Sequence, residues 1–378
     1  MDLIKKKRLL KNLASKYPAV LVTGARSVSR ERLVRDVFPT KSFINLYDKA
    51  TFNLAKNSPR TFLLAFPDGA IINDIELLPE MINAVRYFVE KSSGDKGRWI
   101  MIATPDLEEP KIERENSFLG ILRLSGLSIS ELDAENIPTD NPFCVMFNGL
   151  RHDFLFGERT INQFLDTIIE KDIRRFINSS NKEDFRAFIT TAAQESAKQT
   201  TVNSIAQKAG STAPTAKSWL RIMEKTGLIR YVNNEENPRS ARFFFTDTGV
   251  LCHLLGIENT KETILGPYKD QIVSTFTYNE LVRGRDNRQL EHNLSITAKC
   301  DLLARWRESY AIVIEPNIEI TETSLQRIKA IKKSRKNKPS SLNPIILYLG
   351  DVTYSHAGID CISYRDWEKL AEGIDYFS

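Results

Sequence analysis

No uninterrupted apolar run in this chain is long enough to cross a bilayer. The opening, MDLIKKKRLLKNLASKY, lacks the apolar core of a secretory signal. Membrane insertion and export are therefore not expected, and the expected compartment is the cytoplasm. Cysteine is scarce: Cys144, Cys252, Cys300 and Cys361 are the four in 378 residues, with no paired spacing. That argues against a disulfide framework and a zinc site, and suits a reducing compartment. Strong charge of one sign is also missing. A net charge of +5 permits nucleic-acid binding without demanding it. The length exceeds one ordinary core, so two or three domains are expected.

What is present begins with a basic amphipathic helix, whose apolar residues are Leu3, Ile4, Leu9, Leu10 and Leu13. The organising stretch follows, AVLVTGARSVSRERLVR from Ala19 to Arg35. Residues 19–23 suit a buried parallel strand; a glycine turn and a helix-spaced segment come next. Strand, glycine turn, helix is the setting a phosphate-binding loop requires. The consensus G-x-x-x-x-G-K-[ST] falls on Gly24, Ala25, Arg26, Ser27, Val28, Ser29, Arg30 and Glu31, and only Gly24 matches.

The departures have chemical consequences. Ser29 adds a side chain where the backbone should approach the phosphates. Arg30 keeps the charge in a wider, planar head. Glu31 replaces the hydroxyl that would ligate Mg²⁺ and sets a carboxylate against the phosphates. Two unit charges about 4 Å apart at an effective dielectric of ~20 interact by ~4 kcal/mol. Arg26, Arg30 or Arg35 could offset this, and Glu31 and Arg35 have the favourable helical spacing. The loop reads as one that has lost its chemistry.

Apolar runs at 42–46, 61–66, 70–72, 99–103 and 121–124 alternate in part with helical stretches. This pattern indicates an α/β domain with a mainly parallel sheet. The run AIINDIELLPEM ends its strand in Asn73-Asp74, where an ATPase would carry Asp-Glu. Asn73 has no charge for Mg²⁺, and Asp74 is one methylene shorter than Glu.

With PAVLVTGARSVSRERLVR, IINDIELLPE and GRWIMIATPD in this order, the chain resembles prokaryotic AAA-type P-loop ATPases that carry a C-terminal domain of unknown function. Ala103-Thr104 stands where that family usually has a Gly-Ser pair. The resemblance implies an AAA-like fold for residues 1–150 and a nucleotide-binding remnant at the loop residues, Asn73 and Asp74. ATP or another nucleotide is the implied cofactor, and Mg²⁺ would be held weakly. ATP hydrolysis does not transfer.

In the middle region, 151–260, TVNSIAQKAGSTAPTAKSWLRIMEKTGLIRYV reads as helix, turn, helix and strand. Gly210 is the natural residue to end the first helix, and Pro214 falls in the first turn of the second. With residues 242–245 as a second strand, this is a winged-helix pattern. Thr212, Thr215, Lys217, Ser218 and Arg221 would meet DNA from the second helix, and Arg239 from the wing. Winged helices also serve as protein-interaction modules, and Glu235 and Glu236 lie in the wing.

Residues 261–378 carry helix, strand, strand, helix and strand with acids at strand ends, and resemble the PD-(D/E)XK nuclease core, a restriction-endonuclease-like α/β domain. The resemblance puts Glu280, Asp301 and Glu315 at the metal positions, with Asn317 in place of the lysine. The three carboxylates are expected to converge at one sheet edge, with Pro316 inside the strand. The basic stretch at 327–338 has seven basic residues and no acid. Lys332, Lys333, Arg335 and Lys336 would give salt-dependent, sequence-independent contacts to phosphates.

The sequence thus indicates a multidomain α/β protein, degenerate at its ATPase and nuclease motifs, that acts by binding to nucleic acid or within a macromolecular complex. DNA and proteins are the candidate partners. Two alternatives stay open: an NTPase that still turns over ATP through Arg30 and Asp74, and a protein-interaction scaffold.

Overall fold

The computed structural model describes residues 4–25, 28, 30–91, 95–105, 117–150, 160–173, 176, 182–237, 242–288, 290, 293–305, 309–335, 342–356 and 358–372. The chain divides into two compact units, Met1–Ser125 with Lys225–Gly227, and Gly126–Glu224 with Leu228–Ser378. No helix among the described residues is long and apolar enough to cross a membrane.

The first unit runs α1 (Ile4–Lys16), β1 (Ala19–Gly24), α2 (Arg30–Val37), β2 (Ser42–Asn45), α3 (Lys49–Asn57), α4 (Pro59–Leu63), β3 (Ala70–Asn73), α5 (Glu80–Lys91), β4 (Trp99–Ala103) and β5 (Leu119–Leu124). Its five strands form one sheet in the order β2-β3-β4-β1-β5, with every pairing parallel. A strand paired on both sides and covered on both faces must be apolar throughout. β1 is buried at all six positions and apolar but for Thr23. Leu21, Ile72, Val85, Trp99 and Met101 share one core. Burying each side chain of this kind contributes about 1.5–3 kcal/mol.

The run at 61–66, expected among the strands, is instead the end of α4 and the turns after it. Pro59 opens that helix. Its missing N–H costs nothing in a first helical turn but would remove a ladder bond in a strand. In α1 the inward positions are Leu10, Ala14 and, unexpectedly, Lys6. The Lys6 ammonium donates to the Ser125 carbonyl at 3.3 Å.

The second unit begins with α6 (Ile129–Ala134), α7 (Pro142–Asn148) and α8 (Ile161–Thr167), which continues as a π-turn through Asp172. Residues 126–150, expected with the first domain, pack in this unit. Ser128 caps α6 in a reciprocal box with Glu131. Next come α9 (Lys182–Glu195), α10 (Val202–Lys208), α11 (Ala213–Lys225), β6 (Ile229–Val232) and β7 (Arg242–Phe245). β6 and β7 pair antiparallel. Gly210 takes φ +61° just past α10, the backbone conformation that a helix-ending glycine supplies.

The unit closes with α12 (Thr248–Leu254), α13 (Thr260–Leu265), α14 (Lys269–Asn287), β8 (Asn293–Ser295), β9 (Leu302–Arg305), β10 (Ser309–Glu315), α15 (Glu322–Arg335), β11 (Leu342–Tyr348), β12 (Tyr354–His356), β13 (Ile359–Ser363) and a 3₁₀ stretch, Tyr364–Glu372. The strands form a six-stranded sheet in the order β12-β13-β11-β10-β9-β8. β11 pairs parallel with β10 and β13, and the remaining pairs are antiparallel. β12 and β13 have no counterpart among the expected elements. β10 ends at Glu315, so Pro316 lies just past the strand and not inside it.

Candidate functional site

In the first unit the chain leaves β1 toward one sheet edge, where β2 lies, and leaves β4 toward the other, where β5 lies. The adjacent C-terminal ends of β1 and β4 therefore form a switch point, the place where open parallel sheets bind ligands. In register, Thr23 lies opposite Ala103, Gly24 opposite Leu124 and Asn73 opposite Ile102. Gly24, Asn73, Asp74, Ala103 and Thr104 thus belong to one sheet end.

Each residue there has a local reason. A Cβ at Gly24 would come 2.5 Å from the Leu124 carbonyl oxygen, so strand packing alone requires this glycine. Ala25 is buried, and its carbonyl accepts from the Val28 N–H at 3.1 Å to close a turn. Arg30 opens α2 and is buried. Glu31 turns to Arg35, 3.1 Å away along the helix, with both side chains about half exposed. Arg26, Ser27 and Ser29 lie outside the described residues.

At the end of β3 the Asn73 amide donates to the Asp74 carboxylate at 3.1 Å. Both are buried, and Asp74 adopts φ +58°. The left-handed region is uncommon for a residue with a side chain, though Asp tolerates it better than most. Of two neighbours here, Thr104 belongs to the Ala103-Thr104 pair and Glu76 was not marked in the sequence. Glu76 is 9 % exposed, and Thr104 is fully buried with no hydrogen-bond partner for its hydroxyl among the described residues.

In the second unit, α11 packs Trp219 against Phe185 and Phe188, with ring centroids 5.4 and 5.1 Å apart. Lys217 and Arg221 point away from Trp219 and are exposed, as are Ser218 at their flank and Thr212 just before the helix, with Thr215 half-buried. The Thr215 N–H donates to the Thr212 hydroxyl as a cap.

The loop after β6 is differently engaged. The Ile296 N–H donates to the Asn233 carbonyl at 3.0 Å, and the Glu235 N–H donates to the Ile296 carbonyl at 3.1 Å. The Glu235 carboxylate accepts from Arg305 and from Ser295, both at 2.6 Å. Glu236 accepts from the Ala298 N–H at 2.9 Å. The hydrogen bond from Arg305 holds the Glu235 carboxyl below the usual carboxylate range. Residues 233–236 are thus fastened to the second sheet. Arg239 lies outside the described residues.

Three of the seven basic residues have partners within the unit. Arg327 pairs with Asp301 at 2.8 Å and Lys329 with Glu322 at 3.9 Å. Lys332 donates to the Gly358 carbonyl. Lys333 is exposed. The Arg335 side chain and all of Lys336 lie outside the described residues.

The three carboxylates expected to converge do not. Among the described residues, no group of three His, Cys, Asp or Glu side chains gathers to hold a metal. Asp301 precedes β9, accepts from the Ile314 N–H at 2.8 Å and pairs with Arg327. Glu315 accepts from Asn317 at 2.6 Å and from the Thr321 N–H at 3.0 Å. Glu280 sits in mid-α14, fully buried, paired with Arg283 at 2.6 Å and accepting from the Ile129 N–H at 3.1 Å. Burial pushes its carboxyl up to about 7, against the pull of Arg283.

The helix separates Glu280 from the sheet-edge pair. Lys269 reaches the sheet edge from the start of α14, donating to the Asn317 side-chain oxygen at 2.6 Å. Glu280 is eleven residues further on, about 16 Å along the axis. It belongs to a polar cluster with Glu368, which accepts from Ser128 at 2.7 Å, Asn287 at 3.2 Å and Arg288 at 3.0 Å. That cluster ties α6 and the final 3₁₀ stretch to α14.

A family described as a domain of unknown function, DUF8612, matches residues 150–261. No curated protein matches the chain. Among solved structures, the chain is similar to the Walker-type ATPase PABY2304 of Pyrococcus abyssi, with 11% identity, a TM-score of 0.41, and 67% of this chain and 95% of that chain covered. It is similar to a signal transduction ATPase with numerous domains, the STAND protein PH0952 from Pyrococcus horikoshii, with 15% identity, a TM-score of 0.29, and 75% and 47% covered. A DNA replication initiation factor matches with 10% identity, a TM-score of 0.25, and 88% and 87% covered. All three scores fall below 0.5, where a likeness says nothing of function.

Proposed function

We propose that this chain is a degenerate AAA-type P-loop protein that acts by binding and not by turnover. The observation that carries this reading is the occupancy of the β1/β4 switch point. Glu31, at the position of the metal-binding hydroxyl, is committed to Arg35. Asn73, at the position of the metal-organising carboxylate, is an amide that donates to Asp74. Mg²⁺ beside phosphates is held through one or two carboxylates; an uncharged amide at one position and a carboxylate already paired with an arginine at the other fit it poorly. The start of α2 and Arg30 keep the elements of phosphate recognition, backbone N–H groups and a cation.

The binding partner in this reading is DNA, met by the exposed Lys217, Ser218 and Arg221 of α11, with Thr212 at its start, in a winged-helix module. The wing contributes little, because residues 233–236 are held by the second sheet. The last part of the chain is a restriction-endonuclease-like domain without a working metal site.

Thermal unfolding with ATP, with and without Mg²⁺, tests the nucleotide half. The expected result is a rise in Tm with ATP that Mg²⁺ does not enlarge. A rise that depends on Mg²⁺ would contradict it. Retention on DNA-cellulose that falls with salt tests the other half.

A further inference from the structure

A cavity of about 390 Å³ opens beside the end of β10, lined by Ile318, Ile320, Leu325, Tyr348 and Tyr354 together with the exposed Glu319 and the buried Cys361. The two tyrosine rings meet edge to face, centroids 5.9 Å apart at 86°. The Tyr348 hydroxyl is turned to the Val352 carbonyl. The side chains of the walls are aromatic and aliphatic, set among polar atoms. Two large apolar side chains that line it are exposed, Ile318 at 60% and Tyr354 at 36%. Exposed apolar side chains around a cavity of this size suit a binding surface.

The charge at the mouth narrows the occupant. Glu319 is the one charged residue among those lining the cavity. It is exposed and has no ion pair among the described residues. Nearby charges are already matched: Asp351 faces Arg365 at 3.1 Å, and Asp366 accepts from Thr353 and pairs with Lys369. Apolar walls with one free carboxylate at the rim complement an apolar group with a cation next to it. Tyrosine faces also attract cations. Large side chains seated in such pockets are what anchor protein interfaces.

We propose that this cavity is a docking site for a partner protein segment that presents a large apolar side chain beside a lysine or arginine. It belongs to the second unit, whereas the β1/β4 switch point belongs to the first, and it goes beyond the proposed function. Glu319 selects the neighbouring cation, and Tyr348, Tyr354, Ile320 and Leu325 seat the apolar group.

The test uses the full chain labelled at isoleucine methyl groups, titrated with the dipeptide acetyl-Phe-Lys-amide. The Ile318 and Ile320 methyl resonances should shift and saturate. Acetyl-Phe-Glu-amide should bind about three-fold or more weaker, as an exposed ion pair allows. Acetyl-Ser-Lys-amide should shift neither methyl. Glu319→Lys, at an exposed position that leaves the core intact, should reverse the order of the two Phe dipeptides. Leu325→Trp should fill the cavity and abolish the shifts. The proposal is overturned by methyls that do not move with acetyl-Phe-Lys-amide, by equal response to all three dipeptides, or by an order unchanged in Glu319→Lys.

Discussion

The Lys269 ammonium stands 2.6 Å from the side-chain oxygen of Asn317, and the Asn317 amide in turn donates to Glu315 at 2.6 Å. A position that the nuclease resemblance assigns to a lysine thus holds an amide, and a lysine from α14 reaches that same point. Asn317 passes the positive end of the chain to a nearly fully buried carboxylate. Loss of Asn317 would leave Glu315 short of a donor, and losing a hydrogen bond to a charged group costs about 1.5–3 kcal/mol. Asn317→Ala should therefore lower the unfolding free energy in urea by that order. Asn317→Lys should also destabilise the protein by setting two ammoniums together, and Lys269→Met should relieve it. A double-mutant cycle with no coupling between positions 269 and 317 would refute the linkage.

Glu280 predicts a pH dependence of known sign. Its folded pKa, about 7, lies above the ordinary carboxylate value. Between these two values the folded state binds more protons than the unfolded chain. This group's contribution to stability is therefore fully present at low pH and is lost as pH rises toward 7. Glu280→Gln removes that titration. Relative to the unaltered protein, the variant should be most favoured at pH 8 and least favoured at pH 5. Parallel stability curves across this range would show that Glu280 keeps an ordinary carboxyl.

The fastening of residues 233–236 predicts unequal effects on its two partners. Arg305 and Glu235 pair on a surface where both are well exposed, at 50% and 36%. Arg305→Ala should cost less than about 1 kcal/mol after screening by solvent. Glu235→Ala removes the acceptor for Ser295 as well and should cost more. Protease cutting between 233 and 241 should rise in both variants, with the larger rise in Glu235→Ala. Equal cutting in all three proteins would show that the contacts do not hold the loop.

If α11 meets DNA, Lys217→Ala with Arg221→Ala should weaken binding about equally for all sequences and reduce the magnitude of the salt slope by about 2. The quadruple change of Lys332, Lys333, Arg335 and Lys336 to Ala should have a smaller effect, since Lys332 is committed to Gly358. Fluorescence anisotropy across a salt series measures both. The opposite ranking would move the contact to α15.

Local signals made parts of this fold legible in the sequence, and long-range ones did not. The Val-rich apolar run at 19–22 reads as a covered strand, and Gly210 between two helical patterns reads as the end of the first. The run at 61–66 misled because a short apolar segment fits strand or helix alike, and the deciding residue, Pro59, lies outside it. Glu280 has the right residue type on the right helix, but its register turns it toward Arg283 and Ile129, a fact set by packing across 151 residues of sequence. Lys269 was invisible as the partner of Asn317 because 48 residues separate them. Thr104 was marked by its place in the Ala103-Thr104 pair, whereas no sequence signal marks Glu76 apart from its place after an apolar strand. Glu31 with Arg35 was readable, because four residues on a helix fix the geometry.

The most direct test of the central claim is steady-state phosphate release from ATP in the presence of Mg²⁺ by the purified full chain. With Glu31 held by Arg35 and an amide at position 73, the expected result is release no faster than in a buffer control, in both the unaltered protein and Asp74→Ala. Sustained release that disappears in a folded Asp74→Ala variant would contradict the account.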